Sequence, residues 1–85
     1  MYTLEFEARA RRRLRRLDAT IRKRIFSELD RLCTTCDTHR HEALRGKDRG
    51  RFRLRVQDYR AVYSFNKGTR EITIHRIDHR SKVYS

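Results

Sequence analysis

Residues 50–84, GRFRLRVQDYRAVYSFNKGTREITIHRIDHRSKVY, alternate between apolar and mostly basic side chains and break twice at turn-forming residues. Alternation of period two is the signature of a half-buried strand, since successive side chains point to opposite faces of a sheet. The stretch therefore predicts three antiparallel strands followed by a short tail. Phe52, Leu54 and Val56 share one face, while Arg51, Arg53 and Arg55 share the other.

A two-residue turn at Gln57-Asp58 would set Val56 opposite Tyr59, Arg55 opposite Arg60, Leu54 opposite Ala61 and Phe52 opposite Tyr63. A hairpin loop at Asn66-Lys67-Gly68-Thr69, with Gly68 at positive φ, would then set Tyr63 opposite Ile72, Ala61 opposite Ile74 and Arg60 opposite His75. In that register Phe52, Leu54, Val56, Ala61, Tyr63, Ile72 and Ile74 form one apolar face. A slip of one residue would scatter them, so the hydrophobic pattern fixes the register. The opposite face carries Arg51, Arg53, Arg55, Arg60 and His75, with Val62 and Thr73 between them. Like charges directly opposite on a sheet cost up to about 1 kcal/mol. The sequence offers no structural compensation for Arg55 against Arg60, whereas a bound phosphate would relieve it, because guanidinium forks match phosphate oxygens.

Upstream, residues 2–6 alternate enough for a short strand with Leu4 inward, whose pairing partner is not readable. The period then becomes helical. Phe6, Ala10, Leu14 and Leu17 form one stripe, with Arg9, Arg11, Arg12, Arg13, Arg15 and Arg16 on the remaining faces. Asp18 stands where a helix N-cap belongs. A second stripe follows at Ile21, Ile25, Leu29 and Leu32, with Phe26 at its margin. Two amphipathic helices so tightly joined predict a helical hairpin that covers the apolar sheet face. Residues 34–49 show no period and read as a loop, anchored by Leu44. The expected fold is α+β, with an N-terminal strand, a two-helix hairpin, a three-stranded antiparallel sheet and a short C-terminal tail, in one domain spanning residues 1–85.

The chain is 85 residues long, 36% hydrophobic and 40% charged, with a formal net charge of +12. Periodic apolar residues argue for folding despite that polarity, and the charge makes polyanions the expected partners. No stretch approaches the roughly 18–20 apolar residues of a membrane-spanning helix, and the opening residues do not resemble a signal peptide. A cytoplasmic location is expected. Cys33 and Cys36, followed by His39 and His41, hint at zinc, but His-x-His departs from the usual spacing of structural sites. The expectation is two ordinary thiols at a helix end, with no metal or other cofactor.

Three ordered motifs, Gly50-Arg51-Phe52-Arg53-Leu54-Arg55-Val56, Asp58-Tyr59-Arg60-Ala61-Val62-Tyr63 and His79-Arg80-Ser81-Lys82-Val83-Tyr84, resemble those of the RelE/ParE toxin superfamily. The likeness covers nearly the whole chain. Its RelE-like branch implies a ribosome-dependent mRNA interferase, an endoribonuclease that cuts mRNA in the ribosomal A site without metal, by attack of the 2′-hydroxyl on the adjacent phosphate. It also implies contacts to rRNA and a small acidic RelB-like antitoxin as partner. By position, the resemblance assigns sheet cations to Arg53, Arg55 and Arg60 and tail residues to Arg80 and Tyr84. Arg51 and Lys82 join them as RNA-binding groups. The ParE-like branch shares the fold, poisons DNA gyrase and generally lacks the complete basic-plus-Tyr set.

One departure bears on chemistry. RelE carries lysines at the positions matched to Arg53 and Arg55. Deprotonating an arginine at neutral pH costs roughly 8 kcal/mol, while acid–base catalysis returns about 3–5 kcal/mol. The arginines are therefore assigned to charge stabilisation, where a donor is worth about 10²–10³-fold. His75 and His79 are the candidate bases, since imidazole titrates near neutral pH, and neither is preferred from sequence. Tyr84 is a stacking or orienting group.

Overall fold

The computed structural model describes residues 1–83, with side chains through residue 81. Strand β1 (Thr3–Phe6) leads into helices α1 (Ala8–Arg16) and α2 (Ala19–Thr35). A two-residue strand β2 (Glu42–Ala43) and a single 3-10 turn (Gly46–Asp48) precede β3 (Phe52–Val56), β4 (Tyr59–Asn66) and β5 (Glu71–His79). A helical turn α3 (Arg80–Val83) follows β5 directly.

The five strands form one sheet in the order β1-β5-β4-β3-β2. β1 lies parallel to β5, and the other neighbours are antiparallel. The first strand's partner is thus the last strand, some 70 residues away along the chain. Local pattern does not reveal such a pairing, because parallel neighbours are joined by long crossovers.

The helices form as their stripes predict. Ala10 and Leu14 of α1 and Ile25, Leu29, Leu32 and Cys33 of α2 are buried, and Leu17 in the connection joins them. Asp18 caps α2, its carboxylate accepting from the Thr20 amide at 3.1 Å. Arg22 reaches back and donates to the Leu17 carbonyl at 3.0 Å, satisfying a group left open where α1 ends. The two helices cover the sheet face that carries Val56, Ala61, Tyr63, Ile72, Ile74 and Ile77, with Phe52 and Leu54 packed at its margin.

The β3–β4 register is as expected, with Phe52 opposite Tyr63, Leu54 opposite Ala61, Arg55 opposite Arg60 and Val56 opposite Tyr59. The β4–β5 register is not. Tyr63 faces Ile74, Ala61 faces Ile77 and Arg60 faces Asp78, rather than Ile72, Ile74 and His75. Two causes combine. Asn66 pairs with Glu71, so the loop is residues 67–70; Arg70, not Gly68, adopts positive φ (62°), and the Asn66 amide oxygen accepts from the Gly68 and Thr69 amides at 2.8 and 3.1 Å. That two-residue shift leaves every face assignment intact, because the side-chain period is two. The register then breaks between Val62 and Tyr63, where His75 is the extra residue on β5. The bulge turns Ile77 into the core and brings Arg76 to the outer face.

Residues 34–49 also depart from a simple loop. α2 runs through Thr35, and β2 pairs with β3, setting Glu42 opposite Arg53. His41 pins this segment to the core. Its Nε2 donates to the Cys36 carbonyl at 2.8 Å, which leaves Nδ1 to accept from the Tyr63 hydroxyl at 2.6 Å, and its ring stacks on Phe65 at 4.4 Å. Cys33 and Cys36 are buried free thiols, and burial pushes both up from the ordinary thiol value. Among the described residues no group of three or more His, Cys, Asp or Glu is placed to hold a metal ion. No helix of the described residues is long and apolar enough to cross a membrane.

Candidate nucleic-acid interface

The sheet face away from the helices is a grid. Across the strands, Arg53 stands opposite Val62 and Val62 opposite Arg76; Arg55 stands opposite Arg60 and Arg60 opposite Asp78. Ser64, Thr73 and Glu5 make a third row. Arg53, Arg55 and Arg60 therefore share one face.

Their environments differ. Arg60 is only 6% exposed; its Nη1 donates to the Gln57 and Tyr59 carbonyls at 3.1 and 3.0 Å, and its buried Nε has no hydrogen-bond partner among the described residues. Arg55 is exposed and donates to Glu42 Oε1 at 2.9 Å, the same oxygen that Arg53 grips. The compensation missing from the sequence is thus structural as well. Glu42, on an edge strand that shows no periodicity, neutralises one member of the Arg55–Arg60 pair, and Asp78 lies across from the other. Hydrogen bonds from Arg53 and then Arg55 hold the Glu42 carboxyl below its usual range.

Arg80 opens α3, its amide donating to the Asp58 carbonyl at 2.7 Å and its guanidinium standing 3.8 Å from the Asp58 carboxylate, 62% exposed. It adjoins the β3–β4 turn, the end of the grid that carries Arg55 and Arg60. His79 is not with them. It stands across from Tyr59 on the helix-covered side, its ring edge-on to Tyr59 at 5.3 Å, and its Nδ1 accepts from the Ser81 amide at 3.3 Å as the cap of α3. His75 lies at the other end of the grid, 9% exposed, between Ser64 and Glu7. The two candidate bases therefore occupy opposite faces. Arg51 lies 4.0 Å from Asp48. Tyr84 and the Lys82 side chain fall outside the described residues.

Arg76 escaped the sequence reading because strict alternation assigns it to the core. Its fork donates to both Asp48 oxygens at 2.8 and 2.7 Å, and its Nε donates to Asp78 at 2.6 Å. Asp48 raises the Arg76 guanidinium beyond its ordinary value, and the same hydrogen bonds hold the Asp48 carboxyl low. The trace of the bulge was present in the sequence, since Ile74 and Ile77 are three residues apart in a strand of period two.

Glu7, Asp37, Glu42 and Asp48 are all held below their ordinary values, by hydrogen bonds from His75, Tyr2, Arg53 and Arg76 respectively. A carboxyl whose folded pKa is depressed contributes stability that is in place above its unfolded value, near 4, and is lost as pH falls through the folded value. Urea unfolding is therefore expected to show stability declining below about pH 4. Asp48→Asn, already uncharged, should lose less between about pH 5 and pH 3 than the parent.

The family model for the ParE toxin of the type II toxin–antitoxin system parDE matches residues 4–84. The toxin–antitoxin complex RelBE2 from Mycobacterium tuberculosis contains a chain 30% identical, with a TM-score of 0.74 and coverage of 93% of this chain and 98% of that one. The isolated E. coli RelE toxin superposes with a TM-score of 0.78 at 24% identity, covering 99% of this chain and 92% of that chain. In the intact E. coli RelBE toxin–antitoxin complex the matching chain gives 0.78 at 21% identity, with 93% and 96% coverage. No curated protein matches the chain. With a family model spanning nearly its full length and a RelE-like fold beneath it, this chain belongs to the RelE/ParE superfamily of type II toxin–antitoxin toxins.

Proposed function

We propose that this toxin is a ribosome-dependent, metal-independent endoribonuclease that cleaves mRNA in the A site and is held in check by a small acidic antitoxin. The observation that carries this reading is the convergence of Arg53, Arg55 and Arg60 on one sheet face, with Arg80 at its edge, in a chain of net charge +12. A strip of guanidinium groups grips a phosphate backbone and stabilises charge that develops on a phosphorus under attack. Chemistry of this kind needs positioning and cations rather than a bound metal. The acidic antitoxin follows from the same charge, and the antitoxin-bound chains among the similar structures point the same way. Cytoplasmic residence follows from the proposed target.

The test is direct. Purified protein added to programmed ribosomes should cut mRNA within the A-site codon, in buffer with or without EDTA, and leave naked mRNA far less affected. Intact mRNA would overturn the reading. Glu42 predicts a further result, because its carboxylate occupies the same two arginines that a phosphate would take. Glu42→Gln should bind single-stranded RNA a few-fold more tightly at low salt. In an anisotropy titration that gain should vanish as salt screens the contacts.

A second reading has its own support, since the matching family model is that of a ParE toxin. It predicts inhibition of DNA gyrase with no RNA cleavage. Supercoiling assays run beside the ribosome assay separate the two.

A further inference from the structure

The arginines leave the reaction without a proton acceptor. The bulge at His75 supplies a group the ladder does not use. Its Nε2 lies 2.8 Å from Ser64 Oγ, and its Nδ1 hydrogen-bonds Glu7 Oε2. That hydrogen bond keeps the Glu7 carboxyl ionised to lower pH than usual, so Glu7 accepts and Nδ1 carries the proton. In that tautomer Nε2 presents its lone pair to the Ser64 hydroxyl. Hydroxyl, imidazole and carboxylate in series are the arrangement in which a base is oriented by a third group and activates an oxygen nucleophile.

Charged groups face the chain of bonds from several elements, Glu5 of β1 among them, in the row of Ser64 and Thr73. Arg9 of α1 donates to the His75 carbonyl at 2.9 Å and lies 3.4 Å from Glu7. Arg51, just before β3, acts electrostatically on both Glu7 and Asp48. Arg76 follows His75 and is held by Asp48 of the 3-10 turn. The arrangement sits on the same face as Arg53, Arg55 and Arg60.

We propose that Ser64, His75 and Glu7 form the proton relay that activates the attacking 2′-hydroxyl of RNA. This rests on the ribonuclease reading. The 2′-hydroxyl gives its proton to Ser64 Oγ while the Ser64 proton passes to His75 Nε2. The 2′-oxygen bonds to phosphorus, the P–O5′ bond breaks, and a 2′,3′-cyclic phosphate forms as the 5′-oxygen takes a proton from water. The imidazolium, stabilised by Glu7, later returns its proton to solvent through Ser64. Ser64 is the catalytic residue that touches substrate, His75 accepts the proton through it, and Glu7 positions the ring. Arg9, which contacts both His75 and Glu7, is the cation beside the relay, and Arg53, opposite Val62, stands one row along the same face from Ser64. Arg60 is four residues along β4, about 13 Å at strand rise, and grips the flanking backbone.

The experiment measures kcat, KM and the pH–rate profile for mRNA cleavage on programmed ribosomes, with circular dichroism to follow the fold. His75→Gln should lower kcat by about a hundredfold with KM little changed, and should abolish the acid limb of the profile. Ser64→Ala should lose about tenfold, since water takes the hydroxyl's place. Glu7→Gln should move the acid limb to lower pH, because removing the anion disfavours imidazolium; a purely structural role would leave that limb in place. Should His75→Gln not fold, Ser64→Ala and Glu7→Gln carry the test. Cleavage by the parent protein with unchanged kcat and acid limb in the folded variants overturns the relay and leaves the ribonuclease reading standing. Absence of cleavage by the parent overturns that reading, and the relay with it.

Discussion

Arg60→Ala and Arg80→Ala are each expected to lower mRNA cleavage on programmed ribosomes at least about tenfold, since both grip the flanking backbone that sets the scissile phosphate in place, and misplacing reacting groups by about 1 Å can cost about 10²-fold. The two residues test the same idea under opposite structural conditions. Arg80 is 62% exposed and only loosely held by Asp58, so its loss should leave the fold untouched. Arg60 is 6% exposed, and two backbone carbonyls fix its Nη1 beside the β3–β4 turn. A guanidinium held that way has already given up its rotamer freedom before RNA arrives, which makes it the better-preorganised of the pair. Because Arg60 also fills space, Arg60→Met should accompany Arg60→Ala; it keeps the stem and removes the fork. Arg60→Lys should recover only part of the activity, because an ammonium has no second nitrogen to turn toward RNA while the first holds the Gln57 and Tyr59 carbonyls. If Arg60→Met and Arg80→Ala cut at parental rates, the cationic strip is not the working surface.

How much of this was legible in the sequence depends on the range of the interaction that fixes each feature. The β3–β4 hairpin was readable residue by residue because one two-residue turn sets it and five apolar positions must fall together. The helices were readable for the same local reason, down to the Asp18 cap. β1 was visible but its parallel pairing to β5 was not, and β2 was invisible, because its two residues pair only where the Arg53 segment is already in place. Glu42 was missed with it. Arg53, Arg55 and Arg60 share the outer face, and the bulge that sequence alternation had skipped puts His79 on the other. Ser64 and Glu7 lie 11 and 68 residues from His75, too far for any motif to join them.

Ile77→Ala is expected to lower unfolding stability by about 2–5 kcal/mol, the cost of removing a buried isoleucine's outer carbons and leaving a cavity. For a domain of this size that is a large part of the total, which is of order 5–10 kcal/mol, and the melting temperature should fall by roughly 4–8 °C for each kcal/mol. The position matters because it reads the bulge. Ile77 is 3% exposed and stands opposite Ala61, whose partner on the other side is Leu54. In an unbulged β5, alternation from Ile72 and Ile74 would carry Arg76 inward and turn Ile77 to the outer face, where truncation costs within about 0.5 kcal/mol. Ile74→Ala, fully buried in either arrangement, supplies the reference. Equal losses for the two variants in urea unfolding require both isoleucines on the helix-covered side, and hence an extra residue between them. A loss at Ile77 near zero beside a full loss at Ile74 would remove the bulge, return Arg76 to the interior and take His75 out of line with Ser64 and Glu7.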